Sequence, residues 1–136
     1  MEQPVRILIS GRRAGGRAAL ELYLRHKPDL DVVAKAADVR TLLARAEATQ
    51  PDVVLLDWNL CDRPLEELVS ALHHLENRPG VILTNAAPEA KTTALAAGAG
   101  AFVARGQDPK SLLLAIETIR IQREEQWATR PTTSAR

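Results

Sequence analysis

Five short apolar runs punctuate the chain, at residues 5–9, 30–35, 53–56, 81–83 and 101–104. Between them, residues 14–26, 39–48, 65–74 and 89–97 place apolar side chains at helical spacing, and a last helical segment runs from 109 to about 123. Each run is too short for a helix, so the pattern predicts five strands alternating with five helices. Val53-Val54-Leu55-Leu56 is apolar without interruption, as expected of a strand buried on both faces of a parallel sheet. Punctuation agrees with this division. Asp38 is placed to cap the second helix, and Asp108-Pro109 supplies a cap followed by proline at the first helical position. Pro28-Asp29 and Gly98 are expected to stop the first and fourth helices. Strands alternating with helices mean βαβ units, hence an α/β fold whose parallel sheet is covered on both sides. One domain is expected over residues 1–122. Residues 123–136 read as a helix extension, tail or truncated linker, because apolar periodicity fades after Arg123.

Composition narrows the class without naming a function. With 136 residues, 46% hydrophobic and 26% charged, the chain can bury the core of one domain, and its net charge of +1 calls for neither nucleic acid nor a membrane surface. Aromatics make up only 3%, so the core is expected to be aliphatic. A single cysteine, Cys61, excludes an internal disulfide and suits a reducing, cytoplasmic setting. No apolar run approaches the length of a membrane span.

Chemistry concentrates at three places. Asp57 closes the third strand, and open α/β sheets bind their ligands at the carboxyl ends of strands. The segment Gly11-Arg12-Arg13-Ala14-Gly15-Gly16-Arg17-Ala18 sits between the first strand and first helix with the two-glycine spacing of a phosphate-binding loop. Arg17 and Ala18 replace that loop's lysine and hydroxyl residue, and Arg13 stands where a dinucleotide fingerprint needs its second glycine. Glycines at a helix start beside Arg12, Arg13 and Arg17 still suit an anion. On the last helix, Leu112, Ile116 and Ile119 share the face expected to pack on the sheet, whereas Leu114 and Ile121 point away and offer a surface for a partner or second copy. His73 and His74 fall on different faces and His26 lies far off, so no metal constellation emerges, and Cys61 reads as apolar filler.

From about Arg6 to Ile119 the sequence resembles the receiver domain of bacterial two-component response regulators. The resemblance rests on Pro51-Asp52-Val53-Val54-Leu55-Leu56-Asp57-Trp58-Asn59-Leu60, on Val81-Ile82-Leu83-Thr84, and on Ala97-Gly98-Ala99-Gly100-Ala101-Phe102-Val103. It implies a flavodoxin-like, three-layer (βα)5 fold with a five-stranded parallel sheet of order 2-1-3-4-5. It also implies that Asp57 occupies the phosphoacceptor position, Thr84 that of the hydroxyl contacting the phosphoryl group, and Phe102 that of the aromatic switch residue. Receivers further associate through the fourth helix, fifth strand and fifth helix, which makes a homodimer on that face an expectation.

Two departures bear on the chemistry. Family members carry paired acids after the first strand where this chain has Gly11 and Arg12, and a lysine after the fifth where it has Arg105. Asn59 completes the degenerate metal-site positions. Replacing two carboxylates by glycine and arginine removes hard ligands, and a guanidinium about 6 Å from a divalent cation opposes it by roughly 5 kcal/mol at an effective dielectric near 20. Arg12 is expected to pair with Asp57 as a fixed counterion. The expectation is therefore an atypical, non-enzymatic signalling domain without a cofactor, acting through contacts with a histidine kinase or downstream effector and not on nucleic acid directly. Two alternatives stand beside it: a functional receiver phosphorylated on Asp57 with Mg²⁺, and an anion or nucleotide sensor built on the Gly11–Arg17 loop.

Overall fold

The computed structural model describes residues 3–128. Five strands, β1 (Val5–Ser10), β2 (Leu30–Ala36), β3 (Val53–Asp57), β4 (Gly80–Ala86) and β5 (Ala101–Ala104), form one sheet in the order β2-β1-β3-β4-β5. Every neighbouring pair is parallel. The crossovers are α1 (Ala14–Arg25), α2 (Val39–Thr49), α3 (Leu65–His73) and α4 (Lys91–Ala96), and α5 (Pro109–Ala128) follows the last strand. This is the flavodoxin-like arrangement expected of the sequence.

Alternation along the strands divides the core in two. Ile7, Ile9, Val53, Leu55 and Ile82 face Leu24 of α1 and Leu112, Ile116 and Ile119 of α5. Their sequence neighbours Leu8, Val54, Leu56, Val81 and Leu83 face Leu42 of α2, Leu68 and Leu72 of α3, and Ala94 of α4. Burying each such aliphatic side chain stabilises the fold by about 1.5–3 kcal/mol over leaving it in water. Where α5 crosses the sheet, the helix lies so close that a methyl on Gly100 would sit 2.5 Å from Ile119 Cδ1.

The expected boundaries shift in three places. Strand β4 is longer than 81–83, because an irregularity between Thr84 and Ala86 lets it continue to Ala86. Helix α4 starts later than expected, since Pro88–Ala90 forms a 3-10 turn before Lys91. Helix α5 continues past Arg123 because tertiary contacts hold that turn. The Arg123 guanidinium donates to Arg78 O at 2.8 Å and Asp52 Oδ1 at 3.3 Å. Asn77 donates to Pro51 O and Asp52 Oδ1, and Asp52 Oδ2 accepts the Arg6 amide, so these groups form one polar clamp at the amino edge of the sheet. The tail expected over residues 129–136 lies outside the described residues. Among the described residues, no helix is long and apolar enough to cross a membrane.

Candidate functional site

At the opposite, carboxyl edge, the strand order reverses between β1 and β3, which opens a crevice above their ends. Asp57 is the last residue of β3 and projects into it. Its backbone is fixed from the side by Ser10, which is buried; the hydroxyl donates to Leu55 O at 2.7 Å and accepts the Asp57 amide at 3.0 Å. The carboxylate then caps the 3-10 turn Trp58–Leu60, with Oδ1 accepting the Asn59 amide at 2.8 Å and Asn85 Nδ2 at 3.4 Å. Among the described residues, nothing donates a hydrogen bond to Oδ2. It looks toward Gly11, where an added Cβ would lie 3.5 Å away in open contact.

The structure therefore corrects one expectation. Arg12 does not pair with Asp57: its side chain is exposed, and no ion pair joins the two. The chain turns after Gly11 and carries Arg12 toward Asp62. There Arg63, bonded to Asp62 Oδ1 at 2.8 Å, holds that carboxyl below its ordinary range, and Arg12 adds a smaller pull. The physical reason is directional: at the end of β1 it is the Gly11 position, not Arg12, that looks at Asp57.

The anticipated phosphoryl-site and loop residues gather around the same crevice, whereas Phe102, Leu114 and Ile121 lie elsewhere. Thr84, level with Asp57 on the neighbouring strand, turns its hydroxyl back to Leu56 O at 3.4 Å. Arg105 lies beside it, but its guanidinium donates to Asn85 Oδ1 at 3.3 Å and Asn85 O at 3.1 Å. Arg17 donates to Gly11 O, which closes the loop between β1 and α1. Arg13 is the residue before α1 and is exposed, as are Gly15 and Gly16 in the first turn. Phe102 packs half-buried against the core on the α2–α4 side. Leu114 and Ile121 are exposed on α5, at 69% and 44%.

Two residues were missed. Asn85 adopts a left-handed backbone, φ 63°, at the irregularity in β4, and so reaches both Asp57 and Arg105. Its identity carried the signal, since asparagine tolerates that conformation better than other non-glycine residues. Ser10 was hidden because a serine closing a strand has many uses. Cys61 lies under the turn, its Sγ 3.6 Å from Asp57 O; burial first, then Asp57 and Asp62, pushes its thiol up to about 11.

A doubly wound parallel sheet with a carboxylate at its switch point, flanked by a threonine and a basic residue from the next two strands, is the layout of a receiver-type signalling domain. The sequence matches the response regulator receiver domain family over residues 13–117, and the chain belongs to that family. It is 27% identical over 117 residues to the nitrate/nitrite response regulator NarL of Escherichia coli K12, covering 85% of this chain and 54% of that protein. It is 33% identical over 105 residues to the DNA-binding transcriptional activator DevR/DosR of Mycobacterium tuberculosis, covering 76% and 48%. The chain thus spans about half the length of the curated relatives it matches. Among solved structures, a CheY-like receiver domain protein from Methanospirillum hungatei superposes with TM-score 0.75 at 27% identity, covering 90% of this chain and 99% of that one.

Proposed function

We propose that this receiver domain signals through protein–protein contacts and is impaired in Mg²⁺-dependent phosphorylation at Asp57. The donor set carries the reading. Magnesium demands near-octahedral hard oxygen ligands, with carboxylates supplying the charge. Asp57 is the one carboxylate in a cleft also lined by Arg12, Arg13, Arg17 and Arg105, and Gly11 offers no side chain where a second acid would face it. Among the described residues no three His, Cys, Asp or Glu side chains converge. The residues present do not fit a resident divalent cation. Without one, no metal ion bridges the carboxylate and phosphoryl oxygens when Asp57 attacks phosphorus.

One observation favours the alternative of a working receiver: Asp57 Oδ2 is free of any arginine and open to the cleft. Treatment with acetyl phosphate, read by intact mass with Asp57→Asn as control, separates the two. The expected result is little or no +80 Da species, with or without Mg²⁺. Stoichiometric, Mg²⁺-dependent modification of Asp57 supports the working receiver instead.

Partner contact on the α4–β5–α5 face belongs to the same proposal. Leu114 and Ile121 lie seven residues apart on one side of α5, and Leu95 of α4 is 45% exposed. A homodimer through that face is expected to dissociate in Leu114→Glu, as read by sedimentation. DevR/DosR is named a DNA-binding activator, and a DNA-directed output would reside in sequence beyond this domain.

A further inference from the structure

The cleft that lacks a metal cradle has the properties of an anion receptor. It encloses about 840 Å³, within the range of pockets that hold small organic ligands and far larger than one inorganic ion requires. Four arginines line it against one aspartate. Arg17 and Arg105 are held in place by Gly11 O and by Asn85, so their charge is positioned in advance. Arg12 and Arg13 are exposed, and among the described residues neither guanidinium donates a hydrogen bond. Helix α1, twelve residues long, opens onto the same space with no side-chain cap and no acid in its first turn. Gly15 and Gly16 put no side chain over that first turn, whose leading amides have no partner within the helix.

Asp57 limits what can enter. A bare oxyanion would meet its unpaired Oδ2, whereas a ligand bringing a hydroxyl or ammonium group would satisfy it. We propose that the cleft binds a phosphate-bearing small molecule, its phosphate on Arg12, Arg13 and the first turn of α1, and its hydroxyl or ammonium donor on Asp57, without Mg²⁺. Arg105 supplies the opposite wall. The proposal goes beyond the protein-contact reading above, because it gives the domain a chemical input of its own.

Isothermal titration of the 136-residue chain in EDTA and 150 mM salt tests it, with ATP, glucose 6-phosphate, phosphoethanolamine and inorganic phosphate as probes. At least one organic probe is expected to bind about tenfold more tightly than inorganic phosphate. Arg13→Ala and Arg105→Ala should each weaken that probe about tenfold while the unliganded protein stays folded by circular dichroism. Asp57→Asn should weaken the organic probe and tighten inorganic phosphate, an opposition of signs that a nonspecific basic surface would not produce. The proposal is overturned if no organic probe outperforms inorganic phosphate, if either arginine variant binds as the parent does, or if Asp57→Asn moves all probes the same way. The assay holds no kinase and no Mg²⁺, so its failure leaves the phosphorylation reading untouched.

Discussion

Restoring one acid should restore the metal. Gly11→Asp is the informative change, because an added Cβ would lie 3.5 Å from Asp57 Oδ2 and 3.6 Å from Arg17 Cγ, both ordinary contacts, and Gly11 does not hold a left-handed backbone. The new carboxylate would come within about 4 Å of Asp57, where like charges repel by about 4 kcal/mol at an effective dielectric near 20. Solvent and the nearby arginines reduce the net cost to about 1–2 kcal/mol, so the metal-free variant should melt several degrees below the parent. Mg²⁺ then finds two carboxylates. At ten times its dissociation constant it would stabilise the variant by about 1.4 kcal/mol, or about 4–6 °C for a domain of this size. The parent should shift by less than about 1 °C in the same titration, read by circular dichroism against KCl of matched ionic strength. A parent that rises with Mg²⁺ as steeply as the variant would refute the claim that a missing acid excludes the metal. A variant indifferent to Mg²⁺ would show that the arginines, not the vacancy at Gly11, are decisive.

Other expectations follow from single contacts. Because the Cys61 thiol is pushed up to about 11, iodoacetamide at pH 8 should label it about a hundredfold more slowly than an ordinary thiol, and unfolding should abolish the difference; rapid labelling of the native protein would contradict its placement. Burial first, then Arg78 and His74, holds His73 below its ordinary range, so the unfolded chain takes up the proton before the native one does. That stability is complete above about pH 7 and declines as pH falls through the ordinary histidine range near 6.5; urea midpoints should show the decline, and His73→Gln should flatten it. Gly100→Ala should cost about 1–3 kcal/mol through its clash with Ile119 Cδ1, and adding Ile119→Val, which deletes that atom, should recover part of the loss; simple additivity of the two changes would place the strain elsewhere.

Much of the architecture was legible because it depends on local pattern. The unbroken apolar run of β3, the alternation that sends Ile7 and Ile9 to one face and Leu8 to the other, and the caps at Asp38 and Asp108 are properties of neighbouring residues. Boundaries set by distant partners were not. The last turns of α5 depend on Arg123 meeting residues 45 to 71 positions away in sequence, which no periodicity reports. The site divided in the same way. Asp57 was visible from its place at a strand end, whereas the direction of Arg12 depended on how the chain leaves β1. The role of Asn85 depended on an extra residue in β4 that becomes visible only through pairing with β5.

One strand joins the two polar ends of the molecule. Asp57 closes β3 over the cleft, and Asp52, the residue before its start, anchors Arg123 at the other edge. Four fully buried residues, Val53 to Leu56, separate them, so the two carboxylates stand five strand steps, about 16 Å, apart. A shift of β3 along its axis would therefore be felt at both ends, and the Asp52–Arg123 contact is the place on the far edge where it would be read.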